Sequence, residues 1–224
     1  MKKIFSLLSI VLVSILILTS CEYDNYDPPT SFLTGTVTYN NDPVGVRSGA
    51  TKLELWQYGF ALRKKIDISI DQDGTFSARL FDGNYKLVRL SGAPWENAPD
   101  SIDVQVKGET FINVPVKPYF TISEESFQKN GDEIKSSCII SQIGTRNIES
   151  LTLYIGITSI VDANNNAQSN TLSASALKDL SISKSNTVLL NETLKQRDYV
   201  FVRLGVKAAG IGERFYTPVK RIEY

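Results

Sequence analysis

The sequence predicts an all-β protein made of two β-sandwich domains behind an N-terminal signal segment. Three observations support this prediction: a single apolar run at the N-terminus, many short alternating segments bounded by turn residues, and no long segment of helical period. The predicted organisation is a signal peptide over residues 1–20, a lipid-anchored tether over 21–30, and domains over 31–117 and 118–224.

The N-terminal segment has the pattern of a bacterial lipoprotein signal. Lys2 and Lys3 precede an apolar run over residues 4–18, which is shorter than the about 20 residues of a membrane-spanning helix. The run ends in Leu18-Thr19-Ser20-Cys21, which resembles a bacterial lipobox. The resemblance implies that Cys21 becomes the lipidated first residue, held in the membrane by several acyl chains at about 0.8 kcal/mol per buried CH2. A cleaved signal with a chance cysteine is the alternative.

The segment after the cysteine, over residues 22–27, alternates acidic residues with two tyrosines. An acidic cluster at this position resembles the surface-export signal of Bacteroidetes lipoproteins, which implies an outer-membrane protein whose domains lie outside the cell. A solvated tether that its charges keep extended is the alternative. Pro28-Pro29 would stiffen the tether before the first domain.

The composition limits the classes of molecule that the chain is expected to bind. Without residues 1–20 the chain keeps 204 residues, with 22 basic and 24 acidic side chains, a balance of −2. Nucleic acid is therefore not an expected partner, because its binding needs a clustered basic surface. If Cys21 carries lipid, Cys138 has no disulfide partner and is expected to pack as a small apolar residue.

The chain has no histidine, which excludes Ser-His-Asp and Cys-His catalysis and zinc sites built on imidazole. Two acidic pairs, Glu124-Glu125 and Asp132-Glu133, could serve sugar hydrolysis, but they lie in a polar stretch that is predicted to be a loop. We therefore expect a protein that is not an enzyme and that has no cofactor and no metal site.

Seven strands are predicted in the first domain: 33–39, 51–58, 65–70, 75–80, 85–90, 101–106 and 111–116. The sharpest signal is the alternation on both sides of Asp71-Gln72-Asp73-Gly74, which indicates a hairpin whose glycine takes positive φ. Asp71 and Asp73 could be half of a calcium loop, but the other ligand positions and the closing glutamate are missing.

The string "DGTFSARLFDGNYKLV", over residues 73–88, resembles the transthyretin-like or carboxypeptidase-regulatory-like sandwich. Together with Gly92-Ala93-Pro94-Trp95 and the exit over residues 114–119, it is similar to a Bacteroidetes lipoprotein family, domain of unknown function 3823. Members of that family are typically encoded beside outer-membrane glycan uptake pairs of the SusC and SusD type. The resemblance implies a surface accessory lipoprotein of polysaccharide utilisation, and it carries over no functional residues.

The second domain is predicted to be an immunoglobulin-like or fibronectin-like sandwich, because its strands are not interleaved with helices. Its predicted strands are 133–142, 151–157, 187–190, 199–208 and 216–222, with one short helical turn within 173–180. The polar segment 162–170 is predicted to be a loop.

Two groups of residues are candidates for ligand binding. Trp95, Glu96 and Asn97 lie on a loop between two prolines, where an aromatic ring could contact a sugar or could cap the core. Trp56 and Tyr58 alternate with two leucines, so they form an exposed stripe if the leucines are buried and belong to the core if they are not.

These observations favour a cell-surface lipoprotein that assists polysaccharide capture or uptake by binding or scaffolding. Its expected partners are the membrane, through the N-terminal lipid, together with a glycan and an outer-membrane glycan transporter complex. A structural or adhesin-like interaction module is the alternative function.

Overall fold

The computed structural model describes residues 27–59 and 64–224, and over these it is all-β with two domains. The predicted fold class is therefore confirmed. The signal peptide, Cys21 and the acidic segment lie outside the described residues. Within the described ranges no helix has both the length and the apolar character needed to cross a membrane.

The first domain packs two sheets face to face. Its strands are β1 (Ser31–Tyr39), β2 (Asp42–Pro43), β3 (Lys52–Gln57), β4 (Lys65–Ser69), β5 (Thr75–Leu80), β6 (Gly83–Arg89), β7 (Ser101–Val106) and β8 (Glu109–Pro115). One sheet runs β2-β1-β5, with β8 paired in parallel to β1, and the other runs β4-β3-β6-β7. Leu33 and Val37 share one core with Leu53, Leu55 and Leu87 of the facing sheet, and each fully buried leucine contributes about 1.5–3 kcal/mol.

The turn between β4 and β5 has the predicted glycine with positive φ, but the predicted hairpin is wrong. β4 pairs with β3 and β5 pairs with β1 in the facing sheet, so the turn carries the chain from one sheet to the other, and an isolated bridge between Ile70 and Phe76 links its two sides. Gly74 has φ +86°, and its amide donates to the Asp71 carbonyl at 2.9 Å. The Asp73 carboxylate accepts hydrogen bonds from the amide and the hydroxyl of Thr75, at 3.1 and 2.6 Å. Burial raises the pKa of Asp73, but the Thr75 hydrogen bonds outweigh burial and lower it overall. Asp73 therefore stabilises the turn.

The second domain also has two sheets. Its elements are β9 (Phe120–Asn130), β10 (Glu133–Gln142), β11 (Ile148–Gly156), β12 (Gln168–Ser173), a 3₁₀ turn (Ala174–Leu177), β13 (Lys184–Leu189), α1 (Glu192–Lys195), β14 (Tyr199–Ala208), β15 (Arg214–Tyr216) and β16 (Lys220–Glu223). One sheet runs β13-β10-β9, and the other runs β12-β11-β14-β15 with β16 paired to β14. Cys138 is 1% exposed within this core, and burial raises the pKa of its thiol to about 11. It packs as the expected small apolar residue.

Two segments predicted as loops contain strands instead. Glu124 and Glu125 lie within β9, and the last residues of the predicted loop 162–170 belong to β12. The pairing of β9 with β10 shifts register between Ser137 and Ile139, and Glu124 takes a left-handed conformation with φ 52°. Such a β-bulge interrupts the two-residue period on which strand prediction depends.

The two domains are joined through Arg203, which lies on β14 and is 1% exposed. Its guanidinium donates to the carbonyls of Thr217 and Val161 in its own domain, at 2.7 and 3.2 Å. It also donates to the carbonyls of Val46 and Gln72 in the first domain, at 3.2 and 2.5 Å. One buried side chain thus connects four main-chain segments.

We call this contact between the domains, formed by Arg203 and its carbonyl partners, the joint. Main-chain pairing beside Arg203 strengthens it. The Tyr216 amide donates to the Gly45 carbonyl at 2.9 Å, and the two residues form an isolated β-bridge. A Cβ atom at Gly45 would lie 2.4 Å from the Tyr216 carbonyl oxygen, so this close approach requires glycine. Arg47 and Glu213 form an ion pair across the joint at its surface. The two domains therefore dock through specific contacts.

Candidate functional site

The outer face of the β4-β3-β6-β7 sheet carries the aromatic pair Trp56 and Tyr58. Leu53 and Leu55 on β3 are 0% exposed and line the core, so the side chain of Trp56 projects to the opposite face. Tyr58, just beyond the strand, is 52% exposed. Of the two alternatives that the sequence leaves open, burial of the leucines places both aromatic residues outside the core, with Trp56 half-buried and Tyr58 exposed.

Trp56 and Tyr58 line a shallow depression of about 350 Å³. Lys86 and Val88 on β6 contribute to its floor, and Pro99 from the loop that precedes β7 also lines it. The Lys86 ammonium lies 5.9 Å from the centroid of the Tyr58 ring, within the range of a cation–π contact. The depression thus combines apolar ring surface with polar groups at one place.

Ion pairs surround the aromatic pair and fix the side chains beside it. The Trp56 indole donates to Glu54 at 3.3 Å, and Glu54 accepts from the Lys65 ammonium at 2.6 Å. The hydrogen bond to Glu54 is the largest cause that raises the pKa of Lys65, and the hydrogen bond to Asp103 likewise raises the pKa of Lys86. Both signs of charge therefore lie within reach of a polar ligand on this face.

Trp95, by contrast, does not offer its ring to solvent. It is 1% exposed and belongs to the core of the first domain, and its main chain forms an isolated β-bridge with Pro118. The neighbouring Pro94 carbonyl accepts from the Tyr119 amide at 3.1 Å. These contacts hold the loop over the end of the sandwich, so Trp95 caps the core. A sugar ring therefore cannot stack on the Trp95 indole.

Glu96 and Asn97 are separated by the same loop geometry. The Glu96 carboxylate pairs with Lys117 at 2.9 Å and accepts from the Thr145 amide of the second domain at 3.1 Å. The hydrogen bond from Lys117 is the main cause that lowers the pKa of Glu96. Asn97 is exposed, but it is not among the residues that line the Trp56 depression. The structure thus does not join these three residues into one binding surface.

Metal binding finds no support in the described ranges, where no three Cys, Asp or Glu side chains are arranged so that they could hold an ion. The buried Asp162 carboxylate, for example, is occupied by the amides of Asn164 and Asn165, at 2.7 and 2.9 Å. The predicted polar loop is therefore internally hydrogen-bonded at its start.

A second concave region lies between the domains, and sequence reasoning missed it. Tyr39 and Asp42 contribute from the first domain, and Ser123 and Phe215 from the second. These residues come from segments far apart in the chain, and no local motif marks them.

Two family profiles match the chain. The profile "Protein of unknown function (DUF3823) N-terminal domain" matches residues 31–117, and the profile "Domain of unknown function (DUF3823_C)" matches residues 120–221. No curated protein matches the sequence.

Solved structures agree with these profiles. DUF3823 family proteins from Bacteroides ovatus and Parabacteroides merdae are each 33% identical, with a TM-score of 0.81. The matches cover 86% and 88% of this chain and 98% and 100% of theirs. A Bacteroides uniformis protein, described as a candidate carbohydrate binding protein, shares the fold at 15% identity and a TM-score of 0.72, over 88% of this chain and 100% of its own. The chain therefore belongs to the DUF3823 family and contains both the N-terminal and the C-terminal domain of that family.

Proposed function

We propose that this chain is a cell-surface lipoprotein that binds glycans and assists polysaccharide capture without catalysing a reaction. The observation that carries the proposal is the pair of a half-buried Trp56 and an exposed Tyr58, which line one depression on the outer face of the sheet. An aromatic ring can pack on the apolar face of a sugar, while Gln57, Lys86 and Ser101, which line the same depression, can hydrogen-bond to its hydroxyl groups. The description of the Bacteroides uniformis relative as a candidate carbohydrate binding protein supports the same class of ligand.

The outer face also suits a polymer better than a small ligand. The depression is shallow and lies on a sheet whose flanking strands continue on both sides, so an extended chain can cross it. The near-neutral balance of charge and the mixed ion pairs favour a ligand without a high charge density. The proposed partner is therefore a polysaccharide, delivered to an outer-membrane uptake complex.

We expect the double substitution Trp56→Ala and Tyr58→Ala to abolish the retardation of the full chain in native gels that contain the bound polysaccharide. Removing two ligand-contacting aromatic side chains costs about 2 kcal/mol or more, which weakens binding about thirtyfold. The stability of the variant should fall by only about 1 kcal/mol, because both side chains lie outside the core.

The matched control is Phe111→Ala, which removes a 65% exposed aromatic side chain from the other sheet of the same domain. It should leave the retardation unchanged. Equal retardation of the wild-type chain and the double variant would refute the proposed site, while loss of retardation in the control alone would move the site to the β8 edge.

The anchor requires its own test. We expect Cys21→Ser to prevent incorporation of radiolabelled palmitate and to release the chain from the membrane fraction, because the thioether forms only on a thiol. Cys138→Ser is the control, since that buried residue should not affect labelling. Labelling that persists in Cys21→Ser would refute the lipid anchor.

A scaffold or adhesin-like role is the second candidate, and the Arg203 joint favours it. The joint fixes the two domains against each other, as a spacer between other surface proteins would need. Absence of retardation by every polysaccharide in a broad panel would favour this role. Release of reducing sugars from the same panel would contradict a non-catalytic protein.

A further inference from the structure

The interdomain cleft has the size and position of a small-molecule site. It measures about 560 Å³, within the range of about 300–1,000 Å³ that is usual for ligand pockets, which form preferentially between domains. One wall is the β1–β2 hairpin with the adjoining Asp71–Gly74 turn, and the other is formed by the start of β9 and the segment 215–218. Neither domain alone forms this cleft.

The shape of the cleft is set before any ligand binds. Its base is the joint, where the Tyr216 amide bonds to the Gly45 carbonyl and Arg203 donates to the Gln72 carbonyl. The hairpin beside it closes with Asn40 and Asn41 at φ 51° and 71°, as a tight two-residue turn requires. A ligand would therefore lose little affinity to ordering of the protein.

The lining combines apolar and aromatic surface with hydrogen-bonding groups. Tyr39, Ile122 and Phe215 are partly buried and present side chains to the cleft. Gln72 donates its amide to the Ser159 carbonyl at 2.9 Å, while its Oε1 atom is buried and accepts no hydrogen bond from the residues described. A ligand cannot reach this buried atom, so the hydrogen-bonding groups that the cleft offers are the exposed side chains of Asp42, Asp73 and Ser123.

The charged residues that line the cleft determine which charge a ligand can carry. No lysine or arginine lines the cleft within the part of the chain described, but the carboxylates of Asp42 and Asp73 do. Neither carboxylate forms an ion pair with a described residue. Carboxylates accept hydrogen bonds from neighbouring hydroxyl groups but repel an anionic ligand.

We infer that the interdomain cleft is a second binding site, distinct from the Trp56 face, which takes a short uncharged oligosaccharide. This inference rests on the proposed function, that the chain binds glycans, but it uses none of the residues that line the Trp56 depression. The cleft has a wall from each domain, with Gly45 and Tyr216 of the joint in its lining, whereas the outer face of the sheet is a single open surface. The two sites would then hold different parts of a glycan.

The test is calorimetric titration of the full chain, in detergent, with neutral oligosaccharides of three to six glucose, xylose or mannose units and with uronic acid oligomers of equal length. Ser123→Trp places a large side chain on the cleft wall from an exposed position on β9 and should weaken binding of the neutral oligomer at least tenfold. Gln128→Trp, exposed on the same strand and absent from the cleft lining, is the matched control and should bind as the wild type does. Asp42→Asn, a nearly isosteric exposed change, should weaken binding threefold to tenfold without loss of folding.

The inference is overturned if no neutral oligomer binds, if Ser123→Trp binds as well as Gln128→Trp, or if uronic acid oligomers bind equally well. The Trp56→Ala and Tyr58→Ala double variant keeps these outcomes apart from those of the proposed function. It should lose retardation by the polysaccharide and keep its calorimetric affinity for the neutral oligomer. Loss of both in the double variant would also overturn a separate cleft site.

Discussion

Replacement of Arg203 by methionine is expected to lower the free energy of unfolding by about 3–5 kcal/mol. Methionine fills much of the same volume but donates no hydrogen bond, so the buried carbonyls of Thr217, Val46 and Val161 lose this donor. The Gln72 carbonyl also loses it but still accepts from the Val46 amide at 3.2 Å. Each buried acceptor without a partner costs about 1–3 kcal/mol, part of which relaxation recovers. The ring of Tyr216, whose centroid lies 4.5 Å from the guanidinium carbon, also loses its cation–π contact.

The large effect is expected although burial of the charge itself is costly. Burial lowers the pKa of Arg203, and Tyr216, Asp162 and Asp73 act in the opposite direction. The group stays protonated at neutral pH, so its hydrogen bonds are present under ordinary conditions. Arg203→Lys should also destabilise the chain, because one ammonium group cannot reach four carbonyls that a planar fork of donors contacts together.

Urea denaturation provides the measurement, because the two probes report different parts of the chain. Both tryptophans, Trp56 and Trp95, lie in the first domain, whereas circular dichroism follows the strands of both domains. In Arg203→Met we expect the circular dichroism transition to begin at lower urea than the fluorescence transition, as the domains uncouple. A single transition with an unchanged midpoint would refute the role given to this residue.

The control for Arg203 is Arg47→Met. Arg47 also bridges the domains, but its side chain is 27% exposed and that of its partner Glu213 is 18% exposed. Solvent screens such a pair, so the loss should stay near or below about 1 kcal/mol. A loss as large as that of Arg203→Met would mean that the joint depends on total charge rather than on the buried carbonyl contacts.

Trp95→Ala is the second substitution for which we expect a large effect, a loss of about 3–5 kcal/mol in stability. The indole is 1% exposed, and its removal leaves a cavity between the end of the sandwich and the chain that leads to β9. Retardation by polysaccharide should persist wherever the variant is folded. The measurement is again urea denaturation, with Trp56 as the remaining fluorescent reporter.

Trp95→Phe separates the packing of the ring from its polar atom. The indole nitrogen is buried and makes no hydrogen bond within the described part of the chain, so phenylalanine loses volume but no hydrogen bond. Its cost should therefore be well below that of alanine, about 1–2 kcal/mol. If alanine at this position changed binding and left stability intact, the assignment of Trp95 to the core would be wrong.

The strands of the first domain could be predicted because one face of each is buried and the other is solvated. β5 and β7 begin and end at the predicted residues, since polar and apolar side chains alternate without interruption between clear turns. β9 was not predicted because of the β-bulge at Glu124. Beyond the bulge, the alternate positions that would otherwise face the core face solvent, and the positions between them face the core. A pattern of period two cannot indicate where its phase changes.

The candidate site could be predicted only as a pair of alternatives. Alternation places Trp56 opposite Leu53 and Leu55, but it does not say which set faces the core until the second sheet is known. The burial of Trp95 depends on Pro118, which lies beyond the first domain, so the loop sequence alone could not reveal it. The sequence could not predict the contacts of Arg203, because one of its carbonyl partners is 157 residues away in the chain.

The joint between the domains affects which residues of the protein can change in sequence. Arg203 donates to the first domain at the carbonyls of Val46 and Gln72, and Tyr216 donates to it at the carbonyl of Gly45. Because carbonyl oxygens are common to every amino acid, these bonds do not depend on the side chain at 72. Residues 45 and 46 are constrained for other reasons, since Gly45 lies too close to Tyr216 for a Cβ atom and Val46 is buried in the core. Side chains on the outer face of the β4-β3-β6-β7 sheet take no part in these bonds, so they can change while the contact between the domains is kept.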